Sequence, residues 1–297
     1  MTEQTPSGAP ARETIRVAVD IDSLVRVGTR PGLGAYIKSL WSYRNFISYD
    51  AFSRLRSSIS SDRLGPLWLV LTPVLNGLTY FLIFGLLLQT SRGIENFVGY
   101  LIIGVFAFQY TSKSVMGGAR SIANNRKVVE AFTFPRASLP LAAVIRESFS
   151  FAPALAAMIV LILAFPPAER ITWLWLLAVP ILFLQMLLNL GLGLLLARLV
   201  AGTRDVLNVL TFALRIWMYA SGVFYSFDRF VSHPTALAVL EANPLHQVLT
   251  MLRQVLLYGE APALGQWGVL GGWAVGALVV GFVVFWSAEE TYSRESK

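Results

Sequence analysis

Six long apolar stretches constrain this chain more than any other feature of its sequence. A transmembrane helix needs about 20 apolar residues to cross a hydrocarbon core of about 30 Å. The predicted spans, numbered 1 to 6 in chain order, are residues 66–88, 97–119, 139–165, 172–197, 206–227 and 267–288. The sequence therefore predicts an all-α membrane protein with six transmembrane helices. Because the number of spans is even, both termini are expected on one side.

The composition supports a membrane protein and excludes several chemistries. Hydrophobic residues make up 55% of the chain and charged residues 14%, whereas soluble proteins carry about a quarter charged residues. The chain has no cysteine, which excludes a disulfide framework, thiolate metal ligands and cysteine catalysis. With two histidines, a zinc cluster is not expected either. We expect no cofactor and no metal on this chain.

Lysine and arginine concentrate at one end of the predicted spans. Most of them precede span 1, follow spans 2 and 4, or lie in the C-terminal tail, and only Arg92, Arg170, Arg229 and Arg253 lie in segments on the other side. The positive-inside rule then places both termini in the cytoplasm. The net charge of +7 is mainly an orientation signal. Since it is spread over several loops, nucleic acid is not an expected partner.

The chain is predicted to have four parts. Residues 1–32 contain no apolar signal sequence and are expected to form a cytoplasmic N-terminal leader. Residues 33–64 interleave aromatic and basic side chains, a pattern typical of amphipathic helices that lie in the headgroup layer. Residues 65–290 form the transmembrane domain, and residues 291–297 form a cytoplasmic tail.

The segment between spans 5 and 6 predicts a short helix at the outer surface. Asn243 and Pro244 are a good cap and first position for a helix, and Gly259 is a good stop. Such a helix of about 15 residues rises only about 22 Å, which is too short to cross the membrane. A re-entrant or interfacial helix is expected, with an ordinary outer loop as the alternative.

The predicted spans contain few charges, which bears on what could drive a transporter of this kind. Lys113, Arg146, Glu147 and Arg215 fall inside spans, but there is no inward carboxylate relay and no internal repeat. Ion-coupled carriers usually have midplane ion ligands and inverted repeats. If the chain is a transporter, its energy is therefore expected to come from elsewhere.

Aromatic residues in the spans are candidates for a substrate conduit, because aromatic faces stack on the apolar faces of sugar rings. Ordinary helix packing and lipid contact remain the alternative for each of them. Phe212, Arg215 and Tyr219 share one face of span 5 at helical spacing. The predicted conduit residues are Tyr80, Phe84, Phe106, Tyr110, Phe212, Arg215 and Tyr219.

Two loops on the basic side could be more than connections. The loop after span 2 combines helix-favouring residues with two aromatics and the helix-stopping Pro135. It could dock a partner as a short helix, or it could simply orient the spans. The loop after span 4 carries Thr203 and Asp205 as candidate helix caps, and capping with orientation would explain it fully.

Several motifs resemble one family of membrane proteins. They are the Phe52-to-Trp68 run with its Leu64-Gly65-Pro66-Leu67-Trp68 box, Leu71-Thr72-Pro73, Tyr80 to Gly85, the Asn125-to-Pro140 loop, and Asn243-Pro244 followed by Arg253 and Gly259. The sequence resembles, over about residues 35–290, the ABC-2 type permeases that export O-antigen, teichoic acid and related lipid-linked glycans. The leader is longer than is usual in that family.

The resemblance implies a half-transporter. Two copies of the permease would form the conduit, and two copies of a separate ATPase subunit would bind ATP and Mg²⁺. The chain itself has no Gly-x-x-x-x-Gly-Lys-Ser/Thr phosphate loop. It is expected to be a transport subunit and not an enzyme, in a bacterial inner or plasma membrane, with membrane lipid and a polyprenyl-linked glycan as its other partners.

The resemblance also implies roles for three groups of residues. The residues expected to couple the permease to the ATPase are Asn125, Arg126, Lys127, Phe134, Pro135, Arg136, Arg204 and Asp205. Arg54, Arg56 and Arg63 could meet the pyrophosphate of the lipid, although membrane anchoring explains them nearly as well. The outer gate is expected to contain Asn243, Pro244, His246 and Arg253.

Within the resemblance, the substrate is the least constrained property. Arginine greatly outnumbers lysine, which is compatible with a GC-rich source and favours a polyprenyl-linked galactan or a similar cell-envelope glycan. A permease for a small lipid or drug would share the topology. A polyprenyl-linked glycosyltransferase or acyltransferase would need an acidic pair or a histidine site, and His233 and His246 are more simply read as ordinary loop residues.

Overall fold

The computed structural model of this chain describes residues 31–60, 64–87, 94, 96–165, 171–227 and 234–293. Nearly all of the predicted leader, Arg63, His233 and most of the predicted tail lie outside these ranges. The described residues contain helices and no strands, as the sequence predicted.

Eleven α-helices are named here in chain order, and three of them are extended or preceded by a different helical turn. They are α1 Leu33–Ser42, α2 Arg44–Ser60, α3 Gly65–Tyr80 with a π-helical extension Phe81–Leu87, α4 Phe97–Asn124, α5 Arg126–Ala131, α6 Ser138–Ala164, α7 Ala178–Gly202 preceded by a 3-10 turn Trp173–Leu177, α8 Val206–Ala220, α9 Pro234–Glu241, α10 Pro244–Arg253 with a π-helical extension Gln254–Tyr258, and α11 Leu264–Ser287. A 3-10 turn, Thr291–Ser293, follows α11.

Within the described ranges, four helical segments are long and apolar enough to cross a membrane. They are Leu67–Leu87, Ser138–Ala164, Trp173–Gly202 and Leu264–Ser287, at the positions of predicted spans 1, 3, 4 and 6. The helix at span 2, α4, has 28 residues but carries a polar run from Gln109 to Ser114. The helix at span 5, α8, has only 15 residues. The chain is therefore a multi-pass membrane protein, and the count of six spans stays a prediction.

Helix α8 stops short of the predicted end of span 5, because the chain turns at Ser221 and Gly222. Gly222 has φ of 68°, which favours glycine over residues with a side chain. The following residues, 223–227, pack back toward the bundle, and Val223, Phe224 and Phe227 are buried. The aromatic residues predicted to continue the span are thus folded against the protein.

Helix α7 lies at the centre of the bundle and packs against α4 and α11. The helices approach closely at small residues: a Cβ added to Gly281 would lie 2.1 Å from the carbonyl oxygen of Gly191, and one on Gly118 would lie 2.8 Å from the Cα of Gly193. Small residues at such crossings let the two backbones approach closely. Helices in a membrane associate through this packing, because moving apolar side chains from lipid to a helix contact gives no hydrophobic gain.

Helices α1 and α2 lie beside this bundle and not within it. The predicted interfacial region forms two helices that meet at Tyr43. Helix α2 packs against α6, with Phe52 stacked on Phe149 at a ring-centroid distance of 4.4 Å. Trp41 and Tyr49 are exposed. Aromatic rings at the surface of short helices suit the membrane–water interface.

Candidate functional site

The two loops that were predicted to couple the permease to a partner lie together. Arg126 and Val129 of α5 and Gly202 and Arg204 of the second loop line one shallow cavity of about 180 Å³, together with Tyr292. Its lining thus comes from two segments about 75 residues apart in the sequence and from Tyr292 after α11. Lys127 and Asp205 are exposed nearby, so this end of the bundle, called the α5 end below, presents one continuous surface.

An exposed aromatic residue marks the same surface. Phe132 directly follows α5 and its side chain is 66% exposed. Phe134 is half-buried and lies against Phe46 of α2, with ring centroids 6.4 Å apart. Phe132 is not one of the predicted coupling residues. Its place between a short helix and Pro135 is the feature of the sequence that could have indicated it.

Pro135 and Arg136, also predicted to couple, are buried. The main-chain nitrogen of Arg136 donates to Glu289 Oε1 over 3.1 Å, and its guanidinium donates to the main-chain oxygen of Glu289. The Tyr36 hydroxyl donates to Glu289 Oε2 over 2.9 Å and accepts from the main-chain nitrogen of Ala137 over 3.1 Å. We call Tyr36, Arg136 and Glu289 the clasp, because they tie α1, the first loop and the end of α11 together.

The electrostatics of the clasp are those of a buried carboxyl group. Burial raises the pKa of Glu289 above the usual glutamate value, while the hydrogen bonds from Arg136 and Tyr36 and the charge of Arg136 act in the opposite direction. Burial and the neighbouring Glu289 likewise raise the pKa of Tyr36. Arg136 is therefore placed to hold the loop in position, and contact with a partner would have to be made by its exposed neighbours.

Of the three arginines predicted to meet a lipid pyrophosphate, Arg54 is the one with a specific geometry. Its Nε donates to Asp50 Oδ1 over 2.8 Å and its Nη2 donates to Asn125 Oδ1 over 2.8 Å. Asn125 is the residue from which α5 begins. Arg56 is exposed, and Arg63 lies outside the described residues. The structure thus joins a predicted lipid-contacting residue directly to a predicted coupling residue.

The predicted conduit residues fall into separate groups. Tyr80, Phe84 and Tyr219 surround Phe224, with ring centroids 4.5, 4.5 and 5.6 Å from the Phe224 ring. Phe224 is fully buried and had not been assigned a role. Because it lies beyond the turn that ends α8, the helical spacing of span 5 could not have placed it.

Phe106 and Tyr110 lie elsewhere, in the wall of a second cavity. Tyr110 stacks on Phe151 with ring centroids 4.6 Å apart, and its hydroxyl lies 2.7 Å from Ser148 Oγ. This cavity, of about 450 Å³, is also lined by Arg54 and Lys113. Two predicted conduit residues and one predicted lipid-contacting residue therefore share a pocket inside a single chain.

One face of α8 is uncovered in the single chain. Phe212 is 63% exposed and Tyr219 is 42% exposed, and Arg215 between them is exposed as well. The opposite side of the helix buries Leu210 and Leu214. The three residues share a face, as their spacing predicted, and their role in a conduit stays a prediction.

The predicted outer gate is a tightly bonded corner at the other end of the bundle. Asn243 Oδ1 accepts from the main-chain nitrogen of Leu245 over 3.0 Å, at the start of α10 that Pro244 also marks, and from Trp217 Nε1 over 2.9 Å. Its Nδ2 donates to the main-chain oxygen of Ala220 over 2.9 Å. The π-helical extension of α10 ends at Tyr258, where predicted, because Gly259 follows it with φ of 62°.

His246 and Arg253 hold the same corner. His246 Nδ1 lies 3.2 Å from the main-chain oxygen of Ser221 and its Nε2 lies 3.3 Å from Thr250 Oγ1. Arg253 is 3% exposed, and among the described residues its guanidinium donates to main-chain oxygens, those of Tyr100, Gly222 and Val223, at 3.1 to 3.4 Å. Its guanidinium carbon lies 3.3 Å from the centre of the Tyr100 ring.

The apolar spans define a multi-pass membrane protein. A hydrogen-bonded corner lies at one end of its bundle, and two loops form an exposed surface at the other end. The ABC-2 type transporter family matches residues 52–257, and the chain belongs to that family. This confirms the resemblance seen in the sequence.

Among its relatives is the O-antigen export system permease protein RfbA of Myxococcus xanthus, which is 25% identical over 87% of this chain and 98% of its own length. Two O-antigen export system permease proteins RfbA of Klebsiella pneumoniae are each 24% identical, over 69% of this chain and 77% of their own length.

Proposed function

We propose that this chain is the permease subunit of an ATP-driven exporter that moves a lipid-linked polysaccharide out of the cytoplasm. The observation that carries the proposal is the likeness to O-antigen export permeases over nearly the whole length of the Myxococcus xanthus relative. The membrane is the bacterial inner or plasma membrane, with both termini and the α5 end on the cytoplasmic side, as the distribution of basic residues favours.

A separate ATPase subunit is the proposed partner at the α5 end. Support comes from the shared cavity lined by α5 and the second loop, and from the exposed Phe132 beside it. An aromatic side chain that enters a pocket on the partner is a common source of binding energy at protein interfaces. ATP and Mg²⁺ belong to that partner, so this chain acts as a transport subunit and holds no cofactor.

A second copy of the chain is the proposed partner of α8. Its Phe212, Arg215 and Tyr219 face is uncovered in the single chain, and an exposed arginine in the apolar part of a membrane is costly unless it faces water or a partner. Two such faces opposite each other would line a polar conduit with aromatic rings, and the Tyr80, Phe84 and Phe224 cluster would support it from behind.

The substrate is proposed to be a polyprenyl-linked galactan or a similar cell-envelope glycan. The names of the relatives support polysaccharide export, and the arginine-rich composition supports a GC-rich source. A small lipid or drug is the second candidate, because pocket size alone does not separate the two. If depletion of this protein leaves lipid-linked glycan and its export unchanged, the glycan assignment is wrong and the second candidate stands.

Replacement of Phe132 by alanine tests the docking surface. We expect the purified variant to bind its ATPase about 10- to 30-fold more weakly, because loss of a central interface aromatic costs about 1.4–2 kcal/mol. Affinity should be measured in mild detergent with the full-length permease, after its ATPase has been identified by co-purification from its own cell.

Phe165→Ala is the matched control. Phe165 is a comparably exposed phenylalanine at the opposite end of α6, so its replacement should leave ATPase binding unchanged. Equal affinity of the Phe132 and Phe165 variants would remove Phe132 from the interface. Recovery of no ATPase at all with the wild-type chain would contradict the proposed function itself.

A further inference from the structure

A cavity of about 450 Å³ lies within one copy of the chain, among α2, α3, α4 and α6. It is separate from the exposed face of α8, because none of its lining residues comes from that helix. Its polar wall carries three cationic side chains and one carboxylate. These are Arg54, Lys113, Arg146 and Glu147.

In the part of the chain that the structure describes, some of the charged side chains in this wall have a partner of opposite charge and one does not. Arg146 Nη2 lies 3.0 Å from Glu147 Oε1, and Arg54 is paired with Asp50. Lys113 makes no hydrogen bond and no ion pair with any of the described residues. Lys113 is exposed in the single chain, but it falls inside a predicted span, where a cation without a counter-charge is unfavourable.

The position of this cation along the helices matters for what could neutralise it. Lys113 lies eleven residues before the end of α4 at Asn124, a distance of about 16 Å along the helix, and falls inside predicted span 2. Arg146 lies eight residues after the start of α6 at Ser138, or about 12 Å. An anion that reaches both must enter the membrane layer from the α5 end.

The rest of the cavity wall is apolar and aromatic. Leu69 and Pro73 of α3 face Phe106 of α4 and Phe151 of α6 across it. Gln109, which also lines it, has a buried side-chain oxygen with no hydrogen-bond partner among the described residues. An occupant that satisfies this wall has an anionic group and an apolar chain, and a hydroxyl group or a water molecule beside it can donate to Gln109.

We propose that this cavity binds the phosphate head group of a lipid, with Lys113 and Arg146 contacting the phosphate oxygens and the lipid chain lying along α3. The phosphate could belong to the exported polyprenyl lipid or to an anionic phospholipid of the same leaflet. Only the first of these sources rests on the proposed function. A site inside one copy would hold a head group before it reaches any conduit formed between two copies.

Photolabelling tests the site with a defined probe. The full-length permease, in detergent with its ATPase where this has been recovered, is irradiated with a benzophenone-bearing analogue of farnesyl diphosphate. We expect the label on peptides of α3 and α6, around Pro73 and Phe151. Lys113→Gln should reduce labelling about 10-fold, whereas Lys113→Arg should retain most of it, because the charge is kept.

Arg120→Gln is the matched control, since it removes an exposed cation from the same helix that does not line the cavity. Equal labelling of the Lys113→Gln and Arg120→Gln variants would overturn the proposal, as would a label confined to α8. All variants are first checked for an unchanged elution profile, and the charge-retaining Lys113→Arg separates a lost contact from a misfolded chain.

Competition identifies the source of the phosphate. Protection by unlabelled farnesyl diphosphate but not by phosphatidylglycerol supports the polyprenyl lipid, and protection by both supports a resident phospholipid. Farnesol lacks the phosphate and should not protect; protection by farnesol equal to that by farnesyl diphosphate would overturn the proposal. Protection by phosphatidylglycerol can hold even if glycan export proves to be the wrong function, and glycan export can hold even if no phosphate protects the site, so the two hypotheses fail separately.

Discussion

Replacement of Arg253 by methionine should lower the unfolding temperature of the purified protein by about 10 °C. The buried guanidinium donates to the main-chain oxygens of Tyr100, Gly222 and Val223 and lies over the Tyr100 ring. Methionine fills similar space but removes a donor from each of these three buried oxygens, of which that of Gly222 keeps the Tyr100 hydroxyl at 3.1 Å. Each buried unsatisfied group costs about 1–3 kcal/mol, and 1 kcal/mol corresponds to about 2–4 °C in a chain of this size.

The loss should be measured as thermal unfolding in detergent, by size-exclusion chromatography of heated samples. Arg120→Met, which removes an exposed arginine of α4, is the control and should change the unfolding temperature by less than about 2 °C. Arg253→Lys should fall between the two, since one ammonium group cannot reach all three oxygens. An Arg253→Met variant as stable as the control would show that these hydrogen bonds contribute little.

Replacement of Arg136 by methionine should destabilise the clasp by about 3 kcal/mol. The change leaves Glu289 buried without its cation, and removal of one partner of a buried pair typically costs about 3–5 kcal/mol. We expect α1 and the first loop to loosen together, and export to fall even though Phe132 and its surroundings are chemically unchanged. Unfolding temperature and export rate are the measurements, and Arg120→Met, at an exposed site of α4 that is not among the predicted coupling residues, is the control.

The pH dependence of this variant has a defined sign. The folded-state pKa of Glu289 is already raised by burial, and loss of Arg136 raises it further. A raised pKa means that the folded state holds the proton more tightly, so the stability of the variant is highest below the usual glutamate pKa and falls as pH rises through the folded-state value. The deficit relative to wild type should therefore be larger at pH 8 than at pH 5.

A double-mutant cycle separates the clasp from general damage. Combining Arg136→Met with Glu289→Gln removes both charges, so the double variant should lose less stability than the sum of the single variants. Additive losses would mean that the two side chains do not interact, and the clasp would then be a set of independent contacts.

The helices and their limits were largely predictable from the sequence, because local signals decide them. Hydropathy located a helix at each of the six predicted spans, and four of the described helices are long and apolar enough to cross a membrane. A cap, a proline and a stop glycine, at Asn243, Pro244 and Gly259, fixed α10 and its extension. The same local logic failed for α8, where Gly222 takes a positive φ and reverses the chain before the apolar stretch ends.

Contacts between distant segments could not be predicted from one sequence. Tyr36 and Glu289 are 253 residues apart and Arg54 and Asn125 are 71 residues apart, and no periodicity links such pairs. Arg54 belongs to the predicted lipid-contacting site and Asn125 to the predicted coupling site, so their hydrogen bond joins two sites that the sequence treated separately. Likewise, aromatic residues proposed for one conduit divide between the Phe224 cluster and the cavity beside α2, because their helices face different neighbours.

The Arg54–Asn125 hydrogen bond has a thermodynamic consequence. Arg54 lines the cavity beside α2 and also bonds the residue from which α5 begins. An anion that draws Arg54 into the cavity competes with Asn125 for the same guanidinium. The free energy of anion binding is therefore coupled to the free energy of reorienting α5. Such linkage is reciprocal: any protein that binds α5 and shifts Asn125 changes the cavity's affinity for the anion by the same factor.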